Sequence, residues 1–90
     1  MKIKMEYFAQ VRAAAEKDSE TLTVSDGVTV HDILRLSAER MGAAFRDLVF
    51  PNGRLAPTIL VSANDTAVTD TSMVLEPGDT LAILSPMSGG

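Results

Sequence analysis

Few side chains in this 90-residue chain could do chemistry. It has one histidine, His31, and no cysteine. Without cysteine there is no thiol nucleophile, redox pair, iron–sulfur cluster or cysteine-based zinc site. Hydroxyls are offered by Ser19, Ser25, Ser37, Ser62, Ser72, Ser85 and Ser88. A serine nucleophile needs a base beside it, and His31 is the sole imidazole. It falls in the first turn of an expected helix, beside charged residues, a place where a histidine faces solvent. A single His leaves carboxylates as metal ligands. Glu76 and Asp79 flank a Pro-Gly pair, and turn chemistry accounts for them. No GxxxxGK[ST] phosphate loop is present, and Asn52-Gly53 reads as a turn. No metal site and no bound cofactor are expected.

What remains is Gly89-Gly90, which follows an expected central strand. A frayed end is one reading. The functional reading makes the Gly90 carboxylate the working group. Glycines carry no side chain, so such a tail threads a narrow tunnel and is approached from all sides. Pro86 stiffens the base of the tail and keeps it extended. A carboxylate is a poor electrophile. It needs activation, for example as an acyl-adenylate that a partner makes with ATP.

The elements that would carry this tail are legible in outline. Residues 2–8 read as a strand, with Ile3, Met5 and Tyr7 alternating with Lys2, Lys4 and Glu6. Phe8 interrupts the polar side as an exposed apolar group. Residues 9–19 are polar and Ala-rich, and read mainly as a hairpin connection. A second strand covers 20–24, with Leu22 and Val24 on one face, and Asp26-Gly27 turns the chain. Thr29 is a helix N-cap with Asp32 three residues on. Val30, Ile33, Leu34, Ala38 and Met41 form one helical stripe, with Leu36 off it. Gly42 sits where a left-handed C-cap residue would. The helix is therefore expected over 30–41. In 43–57, Phe45, Leu48 and Phe50 plug the core from an irregular or short helical stretch. Residues 58–63 make a strand with Ile59 and Val61 inward and Leu60 outward. Asn64-Asp65 turns into a short strand near Ala67-Val68. The last strand is 80–84, with Leu81 and Ile83 on one face and Ala82 and Leu84 on the other.

The order β-β-α-β-β-β, with one helix over one face of a mixed four- to five-stranded sheet, is an α+β, β-grasp arrangement. Its first and last strands lie side by side in parallel. Residues 1–84 form the domain, and 85–90 a flexible diglycine tail. The second face is left open, with Phe8, Leu60 and Leu84 lining it.

Composition excludes several classes. With 46% hydrophobic residues the chain folds rather than staying disordered. No apolar run reaches the ~18 residues of a membrane span. MKIKMEYF alternates polar and apolar residues, unlike a signal peptide. A formal charge of −4 argues against nucleic acid as a partner. A cytoplasmic, membrane-free protein is expected. Residues 55–90 contain Asp65, Asp70, Glu76 and Asp79 and no Lys or Arg, so the whole excess lies there. One reading is a solvated acidic surface; the other is that this part of the chain, which carries the tail, meets a basic partner surface, and the charge would steer association.

The sequence resembles the ubiquitin-like sulfur carriers of the MoaD/ThiS type, and within them the small subunit of molybdopterin synthase. The marks are Tyr7-Phe8-Ala9-Gln10-Val11-Arg12, Thr29-Val30, Asn64-Asp65, Leu75-Glu76-Pro77-Gly78-Asp79 and Pro86-Met87-Ser88-Gly89-Gly90. Ala13-Ala14-Ala15-Glu16 departs from the usual Glu-Leu-rich stretch with its Gly. The resemblance implies that an adenylating enzyme uses Mg-ATP to activate Gly90. A sulfur donor then displaces AMP to leave a thiocarboxylate. The large synthase subunit receives the tail, and the sulfur builds the dithiolene of molybdopterin. Phe8, Leu60, Leu84, Pro86, Met87, Ser88 and Gly89 would form the partner surface and the tail. Two alternatives stay open. One is a carrier for thiamin, cysteine, thiolated tRNA or a secondary metabolite. The other is a protein modifier or a plain interaction domain.

Overall fold

The computed structural model describes residues 1–85, and 86–90 lie outside the described part. The strands are β1 (Lys2–Phe8), β2 (Ser19–Thr23), β3 (Leu60–Ala63), β4 (Thr66–Ala67) and β5 (Thr80–Ser85). The helices are α1 (Ala9–Ala15), α2 (Val30–Met41) and α3 (Ala43–Val49), with a 3₁₀ turn at Pro51–Gly53. The sheet order is β2-β1-β5-β3-β4. β1 and β5 pair in parallel, and every other neighbouring pair is antiparallel. The expected five-stranded limit and the parallel central pair are both present.

Alternation decides which face each strand buries. In β1, Ile3, Met5 and Tyr7 are essentially inaccessible while Lys2, Lys4 and Phe8 are exposed. Leu81 and Ile83 of β5 sit at their shoulders on the same face. Ile59 and Val61 bury beside them, and Leu60 points out. Against this face lie Val30, Ile33, Leu34 and Ala38 of α2. Phe45 and Val49 of α3 close the core, and Phe45 meets Tyr7 edge to face, with ring centroids 5.7 Å apart.

α2 begins as its sequence requires. The Thr29 side chain accepts from the Asp32 N–H, and the Asp32 carboxylate accepts from the Thr29 N–H, both at 3.0 Å. Two backbone donors that the helix leaves without partners are thus satisfied reciprocally. These hydrogen bonds hold the Asp32 carboxyl below the ordinary aspartate range.

Three expectations are corrected. Residues 9–15 form a helix, where a connection is expected, because Val11 and Ala15, one turn apart, both bury in the core. Gly42 has φ 90° and ψ −174°, so it is not a left-handed helical cap. It is an extended link with positive φ, open to glycine alone, that starts α3 at once. Of the two forms expected within 43–57, irregular or short helical, 43–49 takes the short helix. His31 is half-buried, its ring tilted against Phe50 at 5.1 Å between centroids, so it does not simply face solvent.

One polar cluster ties the first hairpin to α2. The Tyr7 hydroxyl donates to Glu20 at 2.6 Å, and Arg40 and Lys17 reach the other Glu20 oxygen at 3.2 and 3.5 Å. Burial pushes the Tyr7 phenol well above its ordinary range, and the Glu20 charge adds to the effect. Burial alone would raise Glu20, but the Tyr7 hydroxyl and Arg40 outweigh it, and the carboxyl sits below the usual range. A lowered carboxyl stabilises the fold above its unfolded value and stops doing so as pH falls through the folded one. The raised phenol stabilises it below about pH 10, the unfolded tyrosine value, and loses this as pH rises further.

Two measurements test this account. Chemical unfolding between neutral pH and pH 3 should show a shallower loss of stability in Glu20→Gln than in the parent; parallel curves would contradict the role of Glu20. Ile59→Asp should unfold the domain, whereas Leu60→Asp should shift stability by less than about 1 kcal/mol, as exposed substitutions do. Equal damage from the two in a thermal melt would contradict the assigned facing.

Candidate functional site

The open face of the sheet is laid out in rows. Phe8 stands opposite Leu84 in the β1–β5 pair, and Leu84 stands opposite Leu60 in the β5–β3 pair. Three apolar side chains therefore form one row across three adjacent strands. Phe8 is 44% and Leu60 56% exposed, and Leu84 is half-buried between them. The row lies next to Ser85, the last residue of β5. Ser85 is buried, bridges to Ala9, and donates from its hydroxyl to the Gln10 side-chain oxygen at 3.3 Å. The point from which residues 86–90 depart is thus anchored to the start of α1.

The next row differs. Glu6, Ala82 and Ser62 align across the same strands. With Asn64, Asp65 and Thr80 they line a shallow polar dip of about 320 Å³. Small side chains at Ala82 and Ser62 let the surface sink behind the apolar row. Lys4 reaches Glu6 at 3.5 Å along the same strand face. This dip follows from the alternation of β1, but its depth depends on a cross-strand register that spacing alone does not supply.

The expected partner residues Phe8, Leu60 and Leu84 are therefore brought together. Pro86, Met87, Ser88, Gly89 and Gly90 lie outside the described residues. Asp65, Glu76 and Asp79 gather at the other end of β5, just before Thr80. The acidic excess therefore stands away from the base of the tail rather than around it, which corrects the expected steering geometry. Asp79 accepts from the Asn64 side-chain amide and from the Glu76 N–H, both at 2.9 Å, so turn formation does occupy it.

Other candidates for chemistry disperse. Ser37 is fully buried in the core, beyond the reach of a substrate. His31 packs on Phe50. Among the described residues no group of three or more His, Asp or Glu side chains could hold a metal ion. No described helix is long and apolar enough to cross a membrane. Sequence reasoning passed over Met73 and Val74, which are 39% and 56% exposed. Nothing in the TDTSMVLEPG stretch marks them, because they lie in an irregular segment without alternation.

Comparison with known proteins agrees with this geometry. The ThiS family model matches residues 5–90. No curated protein sequence matches the chain. Among solved structures, SAMP1 of Haloferax volcanii is 26% identical, with all of both chains covered and a TM-score of 0.87. Urm1 of Trypanosoma brucei is 23% identical over 99% of this chain and 95% of its own, with a TM-score of 0.81. A complex of subunits 1 and 2 of molybdopterin-converting factor from Helicobacter pylori matches at 14% identity, full coverage of both chains and a TM-score of 0.65. At such identities the last two speak for the fold alone. The match over nearly the whole length, joined to the parallel β1–β5 pair and the single helical layer, places the chain in the ThiS family, with the β-grasp fold of ubiquitin-like proteins.

Proposed function

We propose that the protein is a sulfur carrier whose working group is the Gly90 carboxylate, and that it serves molybdopterin synthesis as the small subunit of molybdopterin synthase. The observation that carries the carrier reading is the family match, which runs through Gly90. The molybdopterin assignment rests on the sequence marks from Tyr7 to Arg12 and from Pro86 to Gly90.

The division of labour follows from the chemistry. A carboxylate resists attack because its charge repels nucleophiles. A partner adenylating enzyme supplies Mg-ATP, and a Gly90 oxygen attacks the α-phosphorus with loss of pyrophosphate. Sulfide, or a donor equivalent to it, then attacks the acyl carbon and AMP leaves. The product is a thiocarboxylate, a better nucleophile than the carboxylate at neutral pH. This chain contributes the acyl group, the narrow tail and the docking row. Its partners contribute the catalytic side chains. Ser85 is buried at the end of β5, so the body that presents the tail runs through Ser85 rather than stopping at 84, and residues 86–90 act as the tail.

The partner surface is the Phe8–Leu84–Leu60 row with the tail that starts beyond Ser85. A few clustered apolar anchors carry most of the energy of such contacts. The large synthase subunit and the adenylating enzyme would use this row in turn, since each must reach the same terminus.

A second reading has a specific observation behind it: the likeness to SAMP1, small archaeal modifier protein 1. In that reading the activated Gly90 is attacked by a lysine amine in place of sulfide, and an isopeptide bond forms.

Intact mass spectrometry separates these outcomes. After incubation with an adenylating enzyme, Mg-ATP and sulfide, the chain should gain the mass of sulfur replacing oxygen. Deleting Gly90 should abolish that gain and leave the melting temperature nearly unchanged. A Gly90-deleted chain that still accepts sulfur would refute the carrier reading, and lysine-linked adducts in cells would establish the modifier.

Phe8→Asp should weaken binding to the large subunit by at least about tenfold, as loss of an interface anchor does. Unchanged affinity in a titration of the folded variant would remove the row from the interface.

A further inference from the structure

A second surface lies at the far end of β5 from Ser85. A groove of about 420 Å³ runs between β4 and residues 73–76. Both walls are extended backbone with an unused edge. Val68 N–H donates to Val61 C=O, so Ser62 and Ala67 form the non-hydrogen-bonded pair of the β3–β4 hairpin. The N–H and C=O of Ala67 therefore point away from β3. On the other wall, Val30 N–H donates to Met73 C=O and Leu75 N–H donates to Val28 C=O. Val74 thus faces Thr29 as a non-hydrogen-bonded pair, and its own N–H and C=O point away from that partner. Neither group of Val74 finds a backbone partner among the described residues.

The walls are held in place. Asn64 accepts from Thr80 N–H at 3.0 Å and donates to Asp79, which in turn accepts from Glu76 N–H. These bonds lock the β3–β4 turn to the turn that precedes β5. Asp70 accepts from both the N–H and the hydroxyl of Ser72, which fixes the approach to Met73. The exposed side chains of Met73 and Val74 give the groove apolar surface, and Glu76 and Asp79 give it negative charge.

We propose that this groove is a second docking site, which takes an extended segment of a partner protein, alternating apolar and basic residues, by strand addition. Main-chain hydrogen bonds at an open edge supply affinity, and alternate side chains supply selectivity. The charge fixes the occupant. Glu76 and Asp79 line the groove and no Lys or Arg does, so a basic strand is attracted. A second copy of this chain, with net charge −4 and the same acidic edge, is repelled. The six residues of β5 separate the groove from Ser85, where the strand ends, by about 17 Å, at the usual rise per residue. A partner seated there would leave the Phe8–Leu84–Leu60 row free. The proposal does not depend on what Gly90 does.

The test uses the whole chain, labelled with nitrogen-15, and a capped seven-residue peptide of alternating lysine and valine. The expected result is saturable shifts of the Ala67 and Val74 amides, with affinity falling several-fold from low to physiological salt. Replacing the peptide's backbone amides by N-methyl groups should abolish binding. Glu76→Lys should weaken it several-fold. Ala67→Pro, which removes an outward N–H from an edge strand, should weaken it about three- to tenfold, the worth of one hydrogen bond. If that variant does not fold, Glu76→Lys and the methylated peptide decide. No shift at Ala67 or Val74 at millimolar peptide overturns the proposal. So does equal binding of a glutamate–valine peptide, or shifts confined to Phe8, Leu60 and Leu84.

Discussion

The parallel pairing of β1 with β5 is the constraint on which the rest of the molecule depends. It joins two segments that are far apart in sequence and seats both at the centre of the sheet. Ladder register then aligns Met5 with Leu81 and Tyr7 with Ile83 on the buried face. By the same step it aligns Phe8 with Leu84 on the open one. A slip of one residue would exchange the two faces of β5 and place Leu81 and Ile83 in water. The buried row therefore enforces the exposed row. Phe8 and Leu84 need no folding role of their own to be held side by side.

A single helical layer covers one face and leaves the other open. α2 supplies the stripe of Val30, Ile33, Leu34 and Ala38, and α3 completes the cover with Phe45 and Val49. The Tyr7–Glu20–Arg40 cluster joins β1, β2 and α2 at the edge of that cover. It keeps a phenol, whose burial is costly without a partner, satisfied at the boundary of the core. The open face has no such cover, and this is what makes three clustered apolar side chains there a docking surface on the proposed function.

Much of this was legible in the residues because local pattern and tertiary demand agree. The alternation of Ile3, Met5 and Tyr7, the Thr29–Asp32 box and the outward parity of Leu60 each had one reading, and the structure holds it. α1 was not legible. Its N-cap is Phe8, which makes no side-chain capping bond, and its C-cap is Glu16 in a left-handed conformation where glycine would be the usual signal. Only Val11 and Ala15 bury, too few to define a stripe in seven residues. The helix exists because the core receives those two side chains, which is a tertiary fact. The placing of the acidic residues was hidden for a related reason. Proximity in sequence to the tail suggested proximity in space, but β5 intervenes and carries the chain across the sheet.

That crossing gives the two ends of β5 different chemistry. At Ser85 the strand ends against α1 beside an apolar row with no acidic side chain in it. At Thr80 it begins in a knot of Asn64, Glu76 and Asp79 hydrogen bonds. The knot holds two backbone edges apart without pairing them, and negative charge beside unpaired edges is a recognised guard against sheet-to-sheet association. The same guard has a sign. It rejects copies of this chain and other acidic strands, yet it favours a basic one. A feature that guards the edge against copies of this chain therefore also defines, by its charge, which strand the edge would accept.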